Sequence, residues 1–325
     1  MTPKKFITFL LIFVFLFFLF YTIASLHKPY PIANKTIVIE KGTSAQYIAK
    51  ELQRKQIIPS ATLFLVVEKF LPSDRQLRYG KFNFAGWFSF MDVMHKLTSG
   101  EVVTNRITIP EGYTIRRIAS LLSKKELVDY SKFMSLCVDS VFIDSLGLGI
   151  HNLEGFLFPD TYYIPYFADE RFIVKMMVDN FFMQWNIIQP KAIAFDSLYK
   201  IVILASIVER EAIYDDERPL IAGVYTKRLK ENMLLQADPT VAYALELNRI
   251  SRSNISYEDL KINSVYNTYR YRGLPPTPIC NPGIQSLIAA LHPQETDYLF
   301  FFAGKDKRHI FSKTYREHLK KLNRI

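Results

Sequence analysis

Two glutamates, Glu209 and Glu211, close a stretch at 201–212 that is otherwise almost wholly apolar. The run Ile-Val-Ile-Leu-Ala-Ser-Ile-Val ahead of them reads as a helix buried nearly all round. At 100° per residue, Glu209 shares a face with Val202, Ala205 and Ser206. A carboxyl among such neighbours is desolvated, which disfavours its charged form and raises its pKa. An acid that keeps its proton near neutral pH is what protonation of a glycosidic oxygen requires. A plainer reading fits the same residues: Glu209 marks the point where the helix emerges into water, with Arg210 and Glu211 following. Glu211 points roughly 200° away from Glu209. It is therefore expected to be structural or salt-bridging, and not a partner acid on one face.

Three further segments break the helix and strand texture. Leu-Glu-Gly-Phe-Leu-Phe-Pro-Asp-Thr, from Leu153, sets Glu154 and Asp160 among rings, which suits either a sugar site or a packed loop. Leu-Gln-Ala-Asp-Pro-Thr, from Leu235, places Asp238 before a proline, where it can open a turn or cap a helix. Residues 266–283 are crowded with proline, glycine, tyrosine and asparagine, a stiff path suited to a preorganised loop. His151, His292, His309 and His318 lack the spacing of a metal set or a nucleophile–base pair. Cys137 and Cys280 stand far apart and give no disulfide framework. No metal and no cofactor are expected.

The elements that must position these groups follow from the rest of the chain. Residues 6–26 form an uncharged apolar run of about the twenty residues a membrane-crossing helix needs. Lys4 and Lys5 in a short tail (1–5) favour a cytoplasmic N-terminus and a body on the extracytoplasmic side. The run exceeds a signal-peptide core and has no clean cleavage site, so a retained single-pass anchor is expected. Residues 27–36 read as a linker. The net charge of +10 points to an anionic environment such as a membrane surface or wall polymer, and the anchor argues against nucleic acid.

An internal repeat then appears. Residues 37–52 and 107–122 both read I-x-I-x-x-G-x-[S/T]-x-x-x-I-A-x-x-L. The unit is a short strand, a glycine turn at Gly42 or Gly112, a Ser44 or Thr114 cap, then an amphipathic helix. A strand near Tyr79 and a helix near Met91 complete a small module over 37–105. Residues 129–150 are expected to be helix and then loop. From Arg171, the spacing of Phe172, Met176, Met177 and Phe181 predicts an amphipathic helix. The fold class expected is α+β: anchor, small module, and a larger mixed domain over 106–325, with the second strand–helix copy at 106–125.

Taken together, these segments resemble the YceG-like family of endolytic murein transglycosylases. The motifs that carry the resemblance are Leu-Glu-Gly-Phe-Leu-Phe-Pro-Asp-Thr, Ala-Ser-Ile-Val-Glu-Arg-Glu, Leu-Gln-Ala-Asp-Pro-Thr, and Tyr-Asn-Thr-Tyr followed by Gly-Leu-Pro-Pro and Asn-Pro-Gly. The module over 37–105 is similar to a LysM-like glycan grip. The resemblance implies a membrane-anchored enzyme that cuts the β-1,4 bond after N-acetylmuramic acid in nascent glycan strands, forms a 1,6-anhydro ring, and terminates strand elongation. It implies Glu209 as the catalytic acid and then base. Gln236, Asp238, Thr240, Tyr266, Asn267, Thr268 and Glu154 are the implied substrate-binding set. Glycan strands are the partner, with penicillin-binding proteins and other wall synthases beside it. Two other functions remain open. A hydrolytic muramidase would use Asp238 or Glu154 as a second carboxylate, and a non-enzymatic scaffold would use the module alone.

Overall fold

The computed structural model describes residues 3–40, 42–71, 77–100, 103–250 and 255–324. Helix α1 spans Pro3–His27. The side chains at 3–11, 15, 18 and 19 lie outside the described residues, so the expected span at 6–26 is only partly described. Among the described residues, no helix is long and apolar enough to cross a membrane.

The chain divides into two compact units, 1–107 with 163–168, and 108–162 with 169–325. The first unit contains β1 (Tyr30–Ile39), α2 (Ala45–Arg54), α3 (Ala61–Lys69), β2 (Gly80–Phe88) and α4 (Phe90–Ser99). β1 and β2 pair antiparallel, with Ile37 opposite Phe82 and Ile39 opposite Gly80. Ile37 and Ile39 face inward while Val38 between them is exposed, the period of two that a half-buried strand dictates. Their core partners are Ile48 and Leu52 of α2, Phe64 of α3, Phe82 and Phe84 of β2, and Leu97 of α4. Each such side chain contributes about 1.5–3 kcal/mol by leaving water. One correction concerns the stretch expected as a linker. Most of 27–36 is strand, because Tyr30, Pro31 and Ile32 pair with Phe88, Trp87 and Gly86 beyond a bulge.

The chain leaves the first unit within β3 (Thr104–Thr108), and the second unit opens with α5 (Ile115–Lys124), α6 (Tyr130–Leu136) and α7 (Ser140–Ser145). The two repeat copies share their local chemistry. Gly42 and Gly112 sit at φ 86° and 72°, conformations that a side chain resists. Ser44 accepts from the Tyr47 N–H, and Thr114 from the Arg117 N–H. The likeness extends past the motif. Gln56 and Glu126 both end their helices in the left-handed region, and the next residues bond back to Leu52 and Leu122.

β4 (Thr161–Pro165) pairs with β3. It is followed by α8 (Glu170–Ile188), α9 (Phe195–Glu211), α10 (Arg218–Lys230), α11 (Asp238–Leu247) and α12 (Ile284–Leu291). The hairpin of β5 (Phe300–Ala303) and β6 (His309–Ser312) and then α13 (Tyr315–Leu322) complete the fold. The architecture is mixed α+β, with helices and small antiparallel sheets. In α8 the buried stripe is Ile173, Val174, Met177, Val178, Phe181 and Trp185, while Phe172 is exposed. The expected stripe was thus a residue out of phase at its start, because Asp169 caps the helix through the Phe172 N–H and holds that residue at the rim. Helix α9 has no side-chain cap, yet Val202 to Val208 are all buried, so packing holds it.

Gly155 shows how tightly the 153–160 loop is seated. Its φ is 91°, and a Cβ there would stand 2.6 Å from Pro278 Cγ and 2.8 Å from Val202 Cγ1. Gly155→Ala combines left-handed strain with overpacking and is expected to destabilise by on the order of 3 kcal/mol. A denaturant midpoint shifted by less than the equivalent of about 0.5 kcal/mol would show that the loop gives way freely.

Candidate active site

The motifs of the sequence are stitched to one another by hydrogen bonds, and Asn281 is the hub. Its Oδ1 accepts from the N–H groups of Gly155 and Leu157 at 3.0 and 2.8 Å. Its Nδ2 donates to the Tyr113 carbonyl and to Glu154 Oε1. Ser206 on α9 accepts from the Ile279 N–H at 3.0 Å. Thr268 accepts from the Ala237 N–H and bonds Thr240 at 2.9 Å. Asn267 donates to the carbonyls of Leu260 and Ile262 and accepts from the Tyr269 N–H.

These bonds sort the expected binding residues. Thr240, Asn267 and Thr268 are buried with their polar groups occupied inside the protein. Tyr266 bonds Thr277 at 2.9 Å and stacks edge-on against Tyr243. Glu154 is buried and accepts from Ile115 N–H, Asn281 and Tyr243. Their geometry is that of supports. Glu154 also lines a small cleft of about 140 Å³, whereas Gln236 and Asp238 together line a larger one of about 350 Å³. Asp238 does not cap α11, whose cap is Ala237, and instead accepts from the Tyr269 hydroxyl at 2.5 Å. Gln236 sits at φ 52°, held there by Thr268 O accepting from its N–H.

The last turn of α9 sends its two glutamates to different surroundings. Glu209 Oε2 accepts from the Gly283 N–H at 3.0 Å and lies 3.5 Å from Arg218 Nη1. Arg218 is buried and also engages Asp215 and Ser286. Glu111 shares this corner, filling the space where a Cβ at Gly283 would sit, and burial with the Glu209 charge pushes its carboxyl up. Glu209 therefore sits in a charged lattice joining α9, α10 and the start of α12. The helix end is part-exposed, with Glu209, Arg210 and Glu211 half-buried and Ile213 exposed, but the Glu209 side chain itself is turned into protein.

Glu211 lines the cleft that holds Gln236 and Asp238. Its Oε2 is sealed from solvent and has no hydrogen-bond partner among the described residues. Burial first and the Asp238 charge next push its carboxyl up to about 7, against the pull of the Tyr225 hydroxyl and the Arg228 charge. Arg228 is itself fixed, donating to Leu299 O and Leu235 O at 2.6 Å each. Opposite walls come from Phe301, Phe302 and His318. His318 Nδ1 is likewise sealed and without a partner, and burial holds the imidazole below its usual range. Sequence reasoning passed over Tyr225 and Arg228, and set His318 aside because it lacks metal or nucleophile spacing. A signal was present in the density of rings and histidines after residue 298, but nothing local ties it to a helix ninety residues earlier.

The cleft thus brings together a carboxyl with one sealed oxygen, an amide, a second carboxylate and aromatic side chains. The chain belongs to the YceG-like family, whose match covers residues 37–324. It is 33% identical over 319 residues to the endolytic murein transglycosylase of Bacillus subtilis (strain 168), covering 91% of this chain and 87% of that protein. It is 27% identical over 312 residues to the protein of the same name from Streptococcus pneumoniae (strain ATCC BAA-255 / R6), covering 85% of this chain but 55% of that longer protein. A crystal structure of a yceG-like protein from Listeria monocytogenes matches with a TM-score of 0.59 and 31% identity, over 89% of this chain and 99% of that one.

Glu154 gives a pH prediction. Burial, the largest cause, pushes its carboxyl up to about 8, from a model-compound value of 4.5. Between those values the folded state binds the extra proton, so stability falls as pH rises, by up to about 1.4 kcal/mol per pH unit. Below pH 4.5 both states are protonated and this loss is absent. Glu154→Gln keeps a neutral, isosteric group whose amide can face the Tyr243 hydroxyl. The variant is expected to flatten the decline of stability between pH 5 and 8, measured by denaturant titration, and an unchanged slope would contradict the assignment.

Proposed function

We propose that the chain is a lytic transglycosylase of peptidoglycan in which Glu211 is the acid. The observation that carries the choice is the desolvated Glu211 carboxyl, up to about 7, in a cleft shared with Gln236 and Asp238. The sequence motif had directed attention to Glu209, but that carboxylate is engaged by Arg218 and the Gly283 N–H. Glu209 then serves the site by locking α9 against α10 and α12.

The chemistry needs one carboxyl used twice. Protonated Glu211 gives its proton to the glycosidic oxygen between N-acetylmuramic acid and N-acetylglucosamine as the C1–O bond breaks, leaving positive charge on the muramyl C1. The resulting carboxylate, stabilised by the Tyr225 hydroxyl and the Arg228 charge, takes the proton of the muramyl C6 hydroxyl. The C6 oxygen then bonds to C1 and closes the 1,6-anhydro ring. No water is consumed and Glu211 ends protonated. A value near 7 suits a group that must be acid and then base at one pH. Gln236, Asp238 and His318 supply hydrogen-bonding groups for hydroxyl and acetamido functions, and Phe301 and Phe302 give the sugar an apolar wall.

The surroundings fit the same reading. The uncharged run at 6–26 behind Lys4 and Lys5 supports a single anchor in the cytoplasmic membrane, with the body on the extracytoplasmic side. The capped strand–turn–helix unit in the first compact unit supports a LysM-like hold on the glycan over 37–105. An anchored enzyme of this kind reaches strands near the membrane where wall synthases extend them, and so ends their growth.

Glu211→Gln is expected to lower release of soluble fragments from glycan strands by about 10³-fold, the scale of a lost general acid, with folding intact. Glu209→Gln is expected to lower stability while keeping activity per folded molecule within about tenfold. The reverse pattern would return the acid role to Glu209. The wild-type rate is expected to fall above about pH 7 as Glu211 ionises, because the first step needs the protonated form. Product mass separates the competing hydrolytic reading, since an anhydro end is lighter than a reducing end by one water.

A further inference from the structure

A second cleft, of about 240 Å³, opens beside the last turn of α9 and gathers four arginines from three segments. Arg116 and Arg117 come from the first turn of α5, Arg210 from the end of α9, and Arg249 from just beyond α11. Arg210 lies between Glu209 and Glu211 in the chain and leaves the helix 100° from each. This cleft is therefore built on the same helical turn as the proposed acid.

The charges are not balanced from within. Glu246 is the one carboxylate among the described residues lining the cleft, and it is committed. It accepts from the Thr114 hydroxyl at 2.8 Å and pairs with Arg117 at 3.3 Å. Arg116, Arg210 and Arg249 have no ion-pair partner among the described residues. Their frame is nonetheless fixed. Arg249 follows α11 at φ 60°, with its N–H on Glu246 O and the Ile250 N–H on Leu245 O. Arg210 packs its stem across Gly112. Four arginines around one cleft, three of them without an ion-pair partner among the described residues, match a ligand that brings carboxylates.

The remaining walls narrow the ligand further. Ala242, Leu245, Ile250 and Ile255 line the same space and offer apolar surface to methyl and methylene groups. Bare phosphate has no use for such a wall, whereas a short peptide with small aliphatic side chains and free carboxylates uses both halves. We propose that this cleft binds the carboxylate-bearing stem peptide that projects from the muramyl lactyl group, so that the enzyme registers peptide-substituted strands against its acid. The inference rests on the peptidoglycan reading given above.

The test is calorimetric titration of the full chain, in detergent micelles, with N-acetyl-L-alanyl-D-isoglutamyl-L-lysyl-D-alanine. Saturable binding is expected, weakened at least tenfold when both peptide carboxylates are converted to amides. Arg116→Gln with Arg249→Gln is expected to weaken it at least tenfold, with the melting temperature confirming the fold. Equal binding of the acid and amide peptides, or saturation by inorganic phosphate with no response to peptide, overturns the proposal. The amide comparison uses the unaltered chain, so it decides even where the variant is unstable. Release of anhydro fragments from peptide-bearing strands by the same wild-type preparation reports on the lytic reading. Cleavage without peptide binding overturns this cleft and leaves the acid in place; peptide binding without cleavage supports the cleft and removes the acid.

Discussion

The body of α9 is buried all round and its last turn is half-buried against neighbouring elements. Val202 to Val208 are buried, and so is Ala212 beyond the helix end. Three consecutive charged side chains leave this half-buried turn at 100° steps. Each needs surroundings that tolerate it, because a charge taken from water without compensation is costly. Glu209 receives Arg218 and a backbone N–H, Arg210 lines the arginine cleft, and burial pushes the Glu211 carboxyl up to about 7. One helical turn thus carries an ion pair, one arm of the arginine cleft and the carboxyl proposed as the acid.

The rest of the second unit serves this arrangement. Asn281 and Ser206 fasten the 153–160 loop and the proline-rich segment to the α9 region, while Thr240 and Thr268 fasten the segment carrying Gln236 and Asp238. Buried polar networks of this kind are rigid when every member is satisfied, and the few unsatisfied atoms then stand out. Glu211 Oε2 and His318 Nδ1 are two such atoms on residues of one cleft. Glu154 shows the contrast. It too is buried and pushed up, yet its oxygens are occupied by donors, which marks a support.

Much of this was legible in the sequence. The apolar texture of 201–208 marked a buried helix, the repeated Gly and Ser/Thr positions marked turns and caps, and the motif order marked the family. The 200° separation of Glu209 and Glu211 was also correct in kind. What helix phase cannot supply is the identity of the group standing opposite each face. Arg218 reaches Glu209 from the following helix, while Phe301 and His318 reach the Glu211 cleft from roughly a hundred residues downstream. The seven residues expected at the substrate divide for the same reason. Threonine, asparagine and aspartate can either meet a sugar or tie a loop, and only tertiary contacts distinguish the two uses.

The account depends most directly on the proton held by Glu211. Infrared difference spectroscopy of the wild-type chain against Glu211→Gln across pH isolates the carbonyl band of that one protonated carboxyl. The band is expected to persist through pH 6 and to be lost with a midpoint at about 7. A band already gone by pH 5 would mean that Glu211 is an ordinary carboxylate at neutral pH, and would contradict its role as the acid.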